Sequence, residues 1–396
     1  MVRLVLLGLL GLSLYGAEAV KVGDKYKNSG KCKSCHSHIV KEWEGSWHAK
    51  SHYANDEYFQ KTIDYVARKS NGRSLNSIKI ECAACHNPRI SVTSTSSEYD
   101  AIAALKLDKD SAATKALQSD TISEGINCVV CHNIDQIYDN LPENERGIHR
   151  VTWMRSGTMT GPYDDAKSPY HRVEQRDFME TNPNQLCFVC HANDTSREGH
   201  RFTDMQAEFK SGGKQCVDCH MGSHKEGVAS TLPGANGKPT KRLIRSHGFI
   251  GAHTENLWKD ALRVDMRKGA KGLEVTLTNP LPHALPSGFG SREIIVEAQF
   301  VKGGKIVKTE TLSLTSRFLT KRGKPTVPHL AKKTVENVSI PANGSKTFIV
   351  PLEGSADQVT VVVSYRLVND EIREMLDLKD PLWSKKMLIK KVNVKL

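Results

Sequence analysis

Five times this chain repeats one arrangement: two cysteines separated by two residues, with a histidine directly after the second. The thiol pairs are Cys32/Cys35, Cys82/Cys85, Cys128/Cys131, Cys187/Cys190 and Cys216/Cys219, and the histidines are His36, His86, His132, His191 and His220. Together they use all 10 cysteines. A disulfide framework has no need of a histidine after each pair. With 16 histidines in 396 residues, five chance placements have odds on the order of one in ten million. A zinc ribbon would set CxxC units about 15–20 residues apart. Here successive units begin 50, 46, 59 and 29 residues apart, and one is left over. CxxCH is the attachment signal of c-type haem. Two thioether bonds tie the porphyrin edge to the cysteines, and the next residue brings its imidazole under the iron. Moving the histidine by one position loses that reach. The sequence therefore predicts five covalently attached haem c groups, with those five histidines as their first iron ligands.

The chain opens MVRLVLLGLLGLSLYGAEA. Arg3 precedes an apolar run from Leu4 to Tyr15, and Ala17 and Ala19 put small residues where a signal peptidase cuts. The run falls short of the ~20 residues a spanning helix needs. Residues 1–19 are therefore expected to be a signal peptide. The mature protein is expected in the periplasm or at the cell surface, without stable membrane insertion.

Hydrophobic residues make up 38% of the sequence and aromatics 6%, so the part bearing the haem sites is poorly equipped to bury a conventional core. Porphyrins would supply the missing apolar mass, leaving sparse, mostly helical secondary structure. Asn55 to Lys69, with Asn55 as N-cap, and Glu98 to Gln118 are the expected helices. The formal charge is +12, which by itself would favour nucleic acid or an anionic surface. Five haems bring about ten propionate carboxylates, so the excess Lys and Arg read as propionate partners and solvated surface. Nucleic acid is not an expected partner.

Eleven histidines lie outside the motifs, more than the five that full bis-histidine ligation requires. Local patterns around several of them resemble the multihaem cytochrome c family related to cytochrome c-554, whose members carry CxxCH sites followed by a β-rich C-terminal segment. The patterns are Trp43-x-x-Ser46-x-His48, the run GPYDDAKSPYH ending at His171, the run RSHGFIGAH carrying His247 and His253, and NPLPHALPSG carrying His283. Ser287 stands where the family has threonine. The resemblance implies His48, His171, His247, His253 and His283 as the second iron ligands, with His52, His149 and His224 in reserve. It does not say which serves which haem.

After His253 cysteine is absent and alternating apolar stretches take over, at 273–278, 294–300, 346–351 and 359–368, separated by turns such as KGGK and ANGS. That pattern predicts an antiparallel β-sandwich, with a helix from Asn369 to Leu378. Gly222 to Lys241 reads as an extended loop. The expected class is α+β: a pentahaem domain at 20–256 with a haem-filled core, then a sandwich-like domain at 257–396. If His283 is a ligand, the second part caps one iron of the first.

The function expected is electron transfer through a row of bis-histidine haems, between a quinol-oxidising membrane complex and a terminal reductase. An alternative is a reductase of a nitrogen or sulfur oxyanion, or of hydroxylamine, at one five-coordinate haem, with His149 or Tyr163 as candidate pocket groups. A subunit of an extracellular cytochrome filament is a further one. Oligomeric state, reduction potentials and the partners' identities are not encoded locally.

Overall fold

The computed structural model describes residues 26, 28–140, 142, 145–234 and 236–396. The expected signal peptide lies outside the described residues. The C-terminal part is built on two antiparallel sheets. Strand Gly272–Thr278 is flanked by Ser345–Val350 and Arg263–Gly269. The other sheet runs Lys333–Asn337, Lys305–Leu319, Glu293–Lys302, Gln358–Arg366, Met387–Lys395. Leu273, Val275 and Leu277 alternate inward along their strand and are fully buried, the period-2 pattern of a half-buried strand. In Gln358–Arg366 nearly every residue is buried, which is why this central strand reads as a continuous valine-rich run. Arg366 joins Glu293 at 2.5 Å and Asp370 at 2.8 Å, tying two strands to the short helix Asp370–Met375.

This core does not stop at the sheets. Phe59, Ile63, Val66 and Ile78, from helices Glu57–Lys69 and Leu75–His86, belong to the same cluster as Phe300, Val361 and Trp383. Elsewhere the N-terminal part has only small clusters, one around Ile80, Ile90 and Tyr99 and one around Ile134, Val151, Phe178 and Val189.

Three sequence expectations change. The helix expected from Asn55 begins at Glu57, because the Asp56 carboxylate accepts from Phe59 N at 3.0 Å and takes the N-cap. The stretch from Glu98 to Gln118 is two helices, Ser97–Ala104 and Ala112–Leu117. Between them Lys106 adopts φ 60°, and Asp108 accepts from Tyr99 Oη at 2.9 Å and Asn76 Nδ2 at 3.0 Å. Finally, the loop expected over 222–241 contains most of a hairpin, Lys225–Pro233 with Pro239–Ile244. Among the described residues no helix is long and apolar enough to cross a membrane.

Candidate haem-binding sites

Every motif lies on a helix that contains or ends at its histidine: Gly30–Glu44, Leu75–His86, Cys128–His132, Asn184–His191 and Cys216–His220. On a helix, residues three apart share a face, so each CxxC presents both sulfurs side by side. In the longest of these helices the backbone kinks at His36, with φ −112° and ψ 37°. All ten cysteines are free thiols.

Four motif histidines each face a second histidine. The ring centres of His36 and His171 stand 6.4 Å apart, those of His48 and His191 6.3 Å, those of His132 and His247 6.1 Å, and those of His220 and His283 6.5 Å. A first-row metal–imidazole bond is about 2.0–2.1 Å. Adding ~1.1 Å from nitrogen to ring centre on each side, two rings flanking one metal stand about 6.2 Å apart. The residues present therefore fit an iron held between each pair.

The outer nitrogens agree with that orientation. Nδ1 of His36 bonds the Ala229 carbonyl at 2.6 Å, Nδ1 of His132 the Thr160 carbonyl at 2.7 Å, and Nδ1 of His220 the Ile250 carbonyl at 2.6 Å. Opposite them, His171, His247 and His283 turn Nδ1 to the carbonyls of Arg172, Arg245 and Ala284. Fixing the tautomer through Nδ1 leaves Nε2 as the ligating atom. Burial pushes His48 down to about 3, and His191 and His247 down to about 4. Burial also lowers His132 and His283. All five rings are thus neutral near pH 7, the form that binds metal.

Distant segments set these rings. Gly125, at φ 65°, lies so close to the turn bearing His48 that a Cβ there would stand 2.6 Å from the His48 carbonyl oxygen; Ile126 N then donates to that oxygen at 3.0 Å. The amide N–H of His247 donates to Glu42 on the first helix at 2.8 Å. The fully buried Asn279 donates to the carbonyls of His283 and Pro341 at 2.8 and 3.0 Å, shaping the loop that carries His283.

His86 is different. Its Nδ1 meets the Ser51 hydroxyl at 2.9 Å, and its ring lies flat on Phe59 at 3.9 Å and 13°. Among the described residues no second histidine ring faces it at the separation of the other four pairs. His253, named with the second ligands in the sequence reading, stacks instead on Trp47 at 3.7 Å and 10°, with Trp383 edge-on at 6.2 Å. Sequence reasoning passed over His329. Its ring is buried against Phe202 and Phe289, Nδ1 has no hydrogen-bond partner, and burial followed by the charges of Arg146 and His86 lowers it to about 3. Of the pocket groups named for an enzyme, His149 is exposed beside Glu145, and Tyr163 donates to the Leu243 carbonyl under the Arg242 guanidinium. In the sequence no signal marked His329 apart from its being a histidine.

The motifs also meet one another. The Cys32 thiol bonds that of Cys128, the Cys85 thiol that of Cys190, and the Cys187 thiol that of Cys216. Burial pushes the Cys82 and Cys131 thiols up to about 12. Cys35 and Cys219 correct the expectation that the tethering cysteines all line a haem-filled interior. Cys35 is only half-buried, with its Sγ 3.7 Å from the exposed Ser34 hydroxyl, and Cys219 is exposed. The reason at Cys219 is helical geometry: Val217 takes the buried side of the helix Cys216–His220, which turns Asp218 and Cys219 outward. The sequence spacing makes Cys35 and Cys219 equivalent to the other eight, but here the tether lies at the surface, and a porphyrin edge held there faces solvent.

Residues 31–133 match the family of cytochrome c554 and c-prime. Through this segment the chain belongs to the multihaem cytochromes c related to cytochrome c554. Covalently bound haem c and a multihaem redox role come with that membership. Over nearly the whole chain the fold is similar to that of a penta-haem cytochrome c552 from Thermochromatium tepidum. The match has a TM-score of 0.67 at 19% identity and covers 93% of this chain and 98% of that one. No curated protein matches this cytochrome.

Proposed function

We propose that this cytochrome is an exported pentahaem electron carrier, with four irons each held between two histidines and a fifth held by His86. The four facing pairs at 6.1–6.5 Å carry the reading. Bound at these sites, iron porphyrins supply reversible one-electron chemistry. Bis-histidine ligation leaves no coordination position free, which suits transfer of electrons between proteins over transformation of a substrate. The scarcity of buried apolar side chains around residues 30–256 supports a porphyrin-filled interior there. The two C-terminal sheets, sharing one core, read as a sandwich that caps the array through His283.

Contacts between motifs give the order. The thiol contacts make the first site a neighbour of the third, the second of the fourth, and the fourth of the fifth. Cys131 also acts electrostatically on both Cys187 and Cys190, which links third to fourth. The Cys187–His191 site is then the junction of the row. The first and fifth sites, with Cys35 and Cys219 toward solvent, are ends where electrons enter and leave. The fitting partners are a quinol-oxidising membrane complex as donor and a terminal reductase as acceptor, in the periplasm.

The second reading, a reductase, rests on His86. An iron bound there without a facing histidine keeps one position for a small ligand. The buried His329 and Arg146 lie within electrostatic reach of that ring. One experiment tests both readings on the purified holoprotein: mass spectrometry for haem count, and spin-resonance spectra of the ferric state. Five haems with four low-spin signals and one high-spin signal are expected. Fewer than four bis-histidine signals would remove the carrier reading. A fifth such signal, with no binding of cyanide or nitric oxide, would remove the reductase.

A further inference from the structure

Arg292 stands at the start of strand Glu293–Lys302, directly after the loop that carries His283. Its guanidinium turns back into the molecule and donates to the Ser287 carbonyl through Nη1 at 2.6 Å. Gly288, at φ 78°, makes room for it: a Cβ there would stand 2.6 Å from that same Nη1. The loop is thus built around the arginine. The charge acts on His191 and His283, on His253, on the Tyr58 and Tyr365 phenols and on Glu208. It therefore sits between two of the facing pairs, His48/His191 and His220/His283. Among the described residues no carboxylate lies within ion-pair distance of it. The nearest acid acting on the same space, Glu208, has a buried Oε2 with no hydrogen-bond partner, and burial pushes that carboxyl up to about 7. A cation turned inward, seated by a purpose-shaped loop and lacking a counter-charge, needs an anion from outside the polypeptide.

We infer that Arg292 is a propionate-binding residue, its guanidinium fork receiving a haem carboxylate at the Cys187/Cys190 or the Cys216/Cys219 site. This rests on the reading that porphyrins occupy these sites. A planar carboxylate matches the two-pronged guanidinium, which a lysine cannot reproduce. Arg292 is a positioning residue: it fixes the porphyrin's edge and keeps a positive charge near two irons. Losing that charge leaves the propionate's negative charge uncompensated and favours ferric iron.

The test uses intact holoprotein carrying Arg292→Gln, Arg292→Lys or Glu208→Gln, each first shown by mass spectrometry to hold five haems. Resonance Raman spectra report the propionate bending band, and spectroelectrochemistry reports the midpoint potentials. In R292Q the propionate band should shift, and the potential of one iron should fall. If the falling iron pairs His191, the carboxylate belongs to the fourth haem; if it pairs His220, to the fifth. R292K should keep the potential near the parent value while still shifting the Raman band, so it decides the matter even if R292Q does not mature. Raman bands and potentials unchanged in R292K and R292Q would overturn the inference. So would E208Q reproducing the R292Q shifts, which would make Glu208 the arginine's partner. A parent protein with fewer than five haems would count against the pentahaem reading instead.

Discussion

Phe59 joins the apolar core to the one motif histidine without a facing ring, so replacing it tests both. The side chain is 8% exposed, packs with Ile63, Ile78 and the sheet residues, and carries His86 flat on its face at 3.9 Å. Phe59→Ala removes a buried ring from a close-packed site and should cost about 3–5 kcal/mol. Phe59→Leu keeps most of the volume and loses the ring stack, worth about 0.5–1.5 kcal/mol. Against a total stability of about 5–15 kcal/mol, the alanine variant should unfold at a clearly lower urea concentration, and the leucine variant should lie close to the parent. Far-ultraviolet circular dichroism of the holoprotein follows unfolding without depending on haem colour. In the ferric spectrum both variants should alter the signal of the iron at His86 and leave the four bis-histidine signals in place. An unchanged midpoint in Phe59→Ala would refute the packing argument. A leucine variant as damaged as the alanine one would show that the stack, and not the volume, supports the site.

Other outcomes follow from the same geometry. His247→Ala removes the ring facing His132 and should convert one low-spin iron to high-spin while the haem count stays at five; a low-spin count equal to the parent's would refute the pairing. The Glu57 carboxylate accepts from Lys379 N, Asp380 N and Trp383 Nε1 at 2.8, 3.0 and 2.6 Å. Glu57→Gln should therefore loosen the C-terminal segment by on the order of 1–2 kcal/mol, read as faster hydrogen exchange around residues 379–383. Burial first, then Asp204, pushes the Glu208 carboxyl up to about 7. The folded protein therefore binds that proton more tightly than the unfolded chain. This contribution to stability is full below the ordinary carboxylate range and declines as pH rises toward 7. Glu208→Gln should remove that part of the decline in thermal midpoint between about pH 5 and pH 8; parallel curves would refute it.

The haem sites are the most legible part of the sequence, because thioether and iron bonds demand one spacing and tolerate no other. That spacing says nothing of depth, however, so the surface positions of Cys35 and Cys219 could not be read from it. Legibility fades further where a partner comes from afar. His36 and His171 each stand in a recognisable local pattern, but that they face one another depends on the Lys225–Ile244 hairpin and the Tyr26–Tyr170 contact. His253 follows His247 within one short run, so sequence treats the two alike; Trp47, some two hundred residues earlier, separates their roles. The hairpin itself was hidden by composition. Its Gly, Pro and Lys residues are turn formers in isolation, and its pairing is irregular between Val228 and Pro233. The large sheets were readable because alternation is local, as in Leu273, Val275 and Leu277.

Each facing pair joins residues far apart along the chain: 36 with 171, 48 with 191, 132 with 247, and 220 with 283. A pigment tethered at the first thiol pair therefore meets its opposite ring only after a long stretch of later polypeptide has been delivered. Loading must precede closure, and the last loop to arrive, around His283, completes the assembly. A version of this protein cut off before residue 257 would keep every tether and lose that final clasp.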